Sequence, residues 1–175
     1  MIRISTTDRL KIRRIHSYMN ALIPKRAAGI LLHPTSLPGP HGVGTLGDEA
    51  YRFLDYLVRG RQTYWQVLPL GPTGYGDSPY SSSCSMAGNP LLIDLQRLLD
   101  AGDLHGAELS DIPAFPETEV EFDAVNDWKL PVLKRAAQRF LDEADEDRRR
   151  DYETFCKRHA NWLDDYASFP VSVHH

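Results

Sequence analysis

Two short apolar blocks separated by one amphipathic stripe constrain this chain more than any other feature. Residues 27–32, Ala-Ala-Gly-Ile-Leu-Leu, and the run Tyr64-Trp65-Gln66-Val67-Leu68-Pro69-Leu70 have the length and residue types of strands. Between them Ala50, Phe53, Leu54, Leu57 and Val58 recur at the spacing of one helix face. Asp48 and Glu49 fall in the first turn of that helix, where negative charge suits the backbone dipole, and Arg59-Gly60 ends it. A strand–helix–strand connection within one sheet crosses over right-handed. The two strands are therefore expected to be parallel, with the loops that follow them on one edge.

The first block is expected as a buried parallel strand running into His33-Pro34-Thr35-Ser36-Leu37-Pro38-Gly39, and the second is stopped by Gly71-Pro72. The loop after this stop mixes residues that fix the backbone, Gly71, Pro72, Gly74, Gly76 and Pro79, with tyrosines, an aspartate and a row of hydroxyls. Such a loop is shaped and can hold polar groups in place. A pyranose offers apolar C–H faces to an aromatic ring and hydroxyls to polar partners. Tyr75, Tyr80, Asp77, Ser78 and Asn89 supply both kinds of contact. The competing reading is a structural loop whose tyrosines pack the rim. His33, at the end of its strand, either faces a ligand or is satisfied by the backbone. Gly42-Val43-Gly44 lacks a spaced third glycine after a strand, so it is no nucleotide fingerprint.

Later residues read as helical. Residues 91–99 form a short apolar segment with a helical turn, closed by Ala101-Gly102-Asp103, and residues 112–121, with Pro113 and Pro116, form a linker. Val125, Trp128, Val132, Leu133, Ala136, Ala137, Phe140 and Leu141 make a stripe in which Pro131 either lies near the helix start or kinks it. Residues 145–150 form a charged turn whose expected role is solvation. Tyr152, Phe155, Cys156, His159, Trp162, Leu163 and Tyr166 make a second stripe, with Cys156 and His159 expected in the core.

Composition narrows the class. A net charge of -4 gives no reason to expect a nucleic-acid partner, and no apolar run approaches the roughly 18 residues a membrane span needs. The two cysteines match no metal spacing and fit reduced thiols in a cytoplasm. With 175 residues the chain supports one core but falls short of a complete barrel.

Taken in order, His33-Pro34-Thr35-Ser36-Leu37-Pro38-Gly39, Tyr64-Trp65-Gln66-Val67-Leu68-Pro69-Leu70, Gly74-Tyr75-Gly76-Asp77-Ser78-Pro79-Tyr80 and Ala87-Gly88-Asn89-Pro90 closely resemble the start of the amylomaltases, the 4-alpha-glucanotransferases. The likeness covers residues 26–167 and is most specific in its first third. It implies an α/β chain holding the N-terminal portion of a (β/α)8 TIM barrel, incomplete here, with a mostly helical insertion. On that reading residues 26–90 carry the first strands, the helix and the substrate loop, and residues 91–167 carry the insertion. Residues 1–25 are a disordered or over-called extension with Met19 a candidate start, and residues 168–175 form an aberrant tail from a frameshift or premature end.

The resemblance also implies a mechanism. A carboxylate attacks the anomeric carbon, a carboxylic acid protonates the departing glucan, and a sugar hydroxyl intercepts the glucosyl-enzyme. Two carboxyl groups roughly 5 Å apart are required. In the family the nucleophilic Asp, the acid/base Glu and a stabilising Asp come from later strands, so no catalytic residue is assigned in this chain. Tyr80 matches a tyrosine that packs on the sugar at the scission point, Ser78 a donor to a bound glucose, and Tyr75 an aromatic at a second, remote site. Asp77 and Asn89 shape the loop and touch sugar. Residues 81–86 are smaller than the family's aromatic-containing version, and Asn126 stands where an aromatic partner of Tyr75 is frequent, which weakens the remote site. The implied partners are maltooligosaccharides or other alpha-1,4-glucans, with no cofactor, no metal, no nucleic acid and no membrane. The alternatives are a non-catalytic maltooligosaccharide-binding protein and a non-functional truncated product.

Overall fold

The apolar stripe beginning at Ala50 folds as expected. In the computed structural model, which describes residues 27–168 (Tyr75 by its backbone alone) and the backbone of Ile2 and Arg3, helix α1 spans Asp48–Arg59. Asp48 and Glu49 sit in its first turn, and the last turn is closed by the Gly60 N–H donating to the Tyr56 carbonyl and the Arg61 N–H to that of Val58. Strand β2 (Gly29–Leu31) pairs parallel with β3 (Tyr64–Gln66), placing Ile30 opposite Trp65. Parallel pairing across α1 confirms the expected strand–helix–strand unit.

Both strands are shorter than their apolar blocks. Past Gln66 the chain enters Pro69, which has no N–H for a ladder, and the pairing ends with Leu32 N–H donating to the Gln66 carbonyl at 3.0 Å. The first block is not the buried strand the sequence suggested. Ile30 faces α1 while Leu31 on the other face is 56% exposed, because nothing among the described residues covers that side. A third strand was not anticipated: β1 (Ile2–Arg3) runs antiparallel along the other side of β3. The proposed extension, residues 1–25, and the tail, residues 168–175, otherwise lie outside the described residues, Ser168 excepted.

Between α1 and the sheet lies a first core of Leu37, Ala50, Leu57 and Trp65, with Ile30, Phe53 and Leu54 packed against it. Beyond the long loop, Pro90–Leu92 forms a 3-10 turn, followed by α2 (Leu95–Asp100) and α3 (Phe122–Glu143). Val125 of α3 joins Val43 and Leu91 in a second core, while Val132 and Ala136 join Leu95 and Leu104 in a third. Pro131 lies inside α3 rather than near its start. The helix continues through it because Val125, Val132 and Ala136 bury on both sides of the proline.

The final helix, α4 (Glu146–Ser168), corrects two expectations. It buries none of its residues, and Cys156 and His159 are half-exposed rather than core. Its stripe packs along itself, with the His159 ring 4.6 Å from that of Phe155 and accepting from Trp162 Nε1 at 3.3 Å. The stretch 145–150 is mostly the first turn of this helix and does more than carry charge to solvent. Arg148 donates to Asp103 at 2.6 Å and lies over the Phe140 ring.

Glu108 anchors the 3-10 turn Gly106–Leu109 to α3. It accepts from Arg139 at 2.7 Å, from Arg135 at 3.3 Å and from the His105 N–H at 2.9 Å. The hydrogen bond from Arg139, helped by the His105 N–H, holds its carboxyl at about 2, well below the ordinary value of 4.5. A carboxyl whose folded value is depressed contributes stability that is present above its unfolded value and lost as pH falls through the folded one. The melting temperature is therefore expected to fall between about pH 4.5 and pH 2. Glu108→Gln should remove part of that slope. Thermal melts of both chains across this range check it, and identical slopes would count against the assignment.

Candidate functional site

Two strand ends carry the loops of interest, and the structure brings them together. His33 lies between them. Its Nδ1 accepts the Thr35 N–H at 3.4 Å and lies 2.8 Å from Thr35 Oγ1, which leaves Nε2 protonated to donate to the Pro69 carbonyl at 3.3 Å. Both ring nitrogens of this half-buried histidine thus have partners within the chain. Gly44 closes the same loop: a Cβ there would lie 2.1 Å from the Pro34 carbonyl oxygen. Gly44 thus permits a close approach of backbone to backbone.

The loop after β3 is braced at its base and open at its tip. Asn89 N–H donates to the Leu70 carbonyl at 2.8 Å, closing the base. The Asn89 side chain is buried and accepts the Leu91 N–H at 2.9 Å, capping the turn that follows. Asn89 thus braces the base of the loop through both its backbone and its side chain. At the other end Tyr75–Asp77 forms a 3-10 turn in which Gly76 and Asp77 both take positive φ, +69° and +54°. Such a conformation suits glycine and is tolerated by aspartate. Ser78 Oγ accepts the Tyr80 N–H at 3.3 Å, and the Ser81 N–H donates to the Ser78 carbonyl at 3.1 Å. Tyr80, which follows this turn, is 72% exposed.

The aromatic side chain of Tyr80 is therefore left open to solvent, two residues after Ser78 and three after Asp77. The Asp77 carboxyl is held above the ordinary range, first by partial burial and then by the nearby Asp123. Asn126, on α3, is half-buried, and its counterpart Tyr75 is described by its backbone alone.

A cleft of about 480 Å³ opens at the base of the loop rather than at its tip, lined by Leu46, Leu70, Asn89, Leu92, Asp94 and Arg97 among others. Of the residues expected from the sequence, only Asn89 reaches it. Asp94 is held at its edge: Thr45 Oγ1 donates to it at 2.6 Å and the Arg97 N–H at 3.2 Å, capping α2.

Lys129 escaped the sequence reading. Its side chain is completely buried, and its Nζ donates to the Leu91 carbonyl at 2.7 Å. Burial draws its ammonium down to about 8, against an opposing pull from Asp94. His41, stacked on Trp128, is likewise lowered by burial and by Lys129. One signal was available, since Lys129 lies four residues after Val125 and three before Val132, on the apolar stripe of α3. Among the described residues no group of three or more metal-ligating side chains converges, and no helix is long and apolar enough to cross a membrane.

The sequence profile of a family described as 4-alpha-glucanotransferase matches residues 32–175. The chain is 52% identical to the 4-alpha-glucanotransferase of Thermus thermophilus over 82% of its own length and 28% of that protein's. It is 47% identical to the chloroplastic/amyloplastic 4-alpha-glucanotransferase of Oryza sativa subsp. japonica, over 83% and 25%. Among solved structures, the amylomaltase from Streptococcus agalactiae in complex with acarbose superposes with a TM-score of 0.75 at 40% identity, covering 82% of this chain and 28% of that one. The chain therefore spans little more than a quarter of the length of the relatives it matches.

Proposed function

Because this chain belongs to the 4-alpha-glucanotransferase family, we propose that it forms the opening part of a (β/α)8 barrel that transfers alpha-1,4-glucan segments between maltooligosaccharides. The parallel pair β2 and β3 with α1 is the first strand–helix–strand unit of that barrel, and residues 91–167 are its helical insertion. The reaction retains configuration: a carboxylate and a carboxylic acid from later strands act on the glycosidic bond, and an acceptor sugar hydroxyl takes the place of water. The residues of this chain bind and orient the glucan.

The observation that carries this reading is the exposed Tyr80 ring on a loop fastened at its base by Asn89 and Leu70. Tyr80 stacks on a glucose ring at the scission point, Ser78 donates to a sugar hydroxyl once its turn is engaged, and Asp77 accepts from another. Tyr75 contributes to a remote site that Asn126 leaves weak. Asn89 acts through the shape of the loop. The solved relative bound to acarbose fits a site of this kind. Free Cys84 and Cys156 accord with a cytoplasmic setting, and the proposed reaction needs no cofactor.

Titration of the chain with maltoheptaose, followed by tyrosine fluorescence, tests the binding role. Tyr80→Ala should weaken affinity at least about tenfold, equivalent to ~1.4 kcal/mol, while Tyr80→Phe stays within a factor of about two. Equal affinities for the parent and Tyr80→Ala, or no saturable binding by the parent, would overturn it.

A further inference from the structure

We propose that Lys129 is a positioning residue that locks the base of the glucan loop to the helical insertion. The proposal deepens the function above and rests on that reading only for the identity of the ligand. Three tethers meet at one turn, Pro90–Leu92. On one side the Asn89 N–H is bound to the Leu70 carbonyl at 2.8 Å, and on another the Leu46 N–H is bound to the Leu92 carbonyl at 2.9 Å. The third tether is Lys129 Nζ on the Leu91 carbonyl at 2.7 Å, and it alone of the three is a side chain reaching over from α3.

An ammonium is a costly choice for that place. Its neighbours on α3 are the buried Val125 and Val132, and an apolar side chain would fill the position without the desolvation penalty. Asp94, the charge that offsets it, is already held by Thr45 Oγ1 and the Arg97 N–H, so it supports Lys129 from a distance. What the ammonium supplies is a directed, charge-assisted bond to a carbonyl that would otherwise be buried without that donor. The bond fixes where the turn sits relative to α3. Through Asn89 it fixes where the loop carrying Ser78 and Tyr80 leaves the fold.

Amide hydrogen exchange on the full chain separates this role from a general contribution to the core. In Lys129→Met the Asn89 and Leu46 amides should exchange at least about tenfold faster, while the Leu32 amide, bonded to Gln66 across the sheet, is unchanged. Lys129→Gln, which keeps a donor, should recover part of the protection. Uniform acceleration at all three amides, no change at Asn89 and Leu46, or loss of cooperative folding in both variants would each overturn the proposal. Maltoheptaose titration of the same chains reads the consequence, with affinity for Lys129→Met expected to fall about five- to tenfold. If the parent binds no maltoheptaose, the glucan reading fails, and exchange at Asn89 still decides the role of Lys129.

Discussion

Purified by itself, the 175-residue chain is expected to release no detectable glucose from maltotriose. Transfer by a retaining route needs a nucleophilic carboxylate and a carboxylic acid roughly 5 Å apart on opposite sides of the bond. Asp94 already has a structural role, its oxygens accepting from Thr45 Oγ1 and the Arg97 N–H to cap α2. Asp77 stands near the proposed stacking ring with its carboxyl raised by burial and by Asp123, but an acid without a nucleophile leaves the glycosidic bond intact. The loss relative to a complete enzyme should be at least about a millionfold, the low end of enzymatic acceleration. A coupled glucose assay on maltotriose, run beside a full-length relative, measures it. Glucose release above the enzyme-free control would show that carboxylates within this chain suffice.

The second large effect concerns stability. Trp65 is 2% exposed at the centre of the first core, its ring meets Phe53 edge-on at 5.0 Å, and Nε1 donates to the Leu32 carbonyl at 2.7 Å. It is at once the side chain that buries β3 against α1 and a second link between β3 and the end of β2. Trp65→Ala removes that packing and leaves a cavity, at a cost of about 3–5 kcal/mol. Against the 5–15 kcal/mol typical of a native domain, roughly, that is a large fraction. The variant should lose the cooperative thermal transition of the parent. Trp65→Phe keeps most of the ring and loses mainly the hydrogen bond, worth ~1 kcal/mol, so it should still melt cooperatively at a lower temperature. Circular dichroism melts distinguish the three chains. A midpoint for Trp65→Ala within about 5 °C of the parent would show that the core can close without it.

Taken together, the two effects divide the molecule by role. The cores formed by Trp65, Leu57, Leu95 and Val132 hold the strands, helices and loop base in place. The loop tip remains outside them, with Tyr80 in solvent. The proposed glucan platform needs a rigid support and an accessible face, and the hydrogen bonds at Asn89 and Leu91 fasten the base of that loop.

Local pattern was enough to read several parts of this protein. Helix α1 was legible because its apolar spacing, first-turn acids and closing glycine all agree, and each is a property of neighbouring residues. The loop was legible because Gly, Pro and Tyr in that order leave few backbone paths, and its words were specific enough to identify the family. Parallel pairing came from the handedness of a crossover. Tertiary structure decided what depends on partners distant in sequence. Cys156 and His159 sit on a stripe with the right period, yet the period records only which residues share a face, not whether another element covers it. Leu31 carries a strand signal but is exposed for the same reason. The partners of the His33 ring and the Lys129 ammonium, the Pro69 and Leu91 carbonyls, lie far away in the chain and were brought to them by the fold. Sequence determined the local elements and the family to which the chain belongs. Burial and hydrogen-bond partnership were settled by contact between segments, because the cost of a buried charge or an uncovered face depends on what lies across from it.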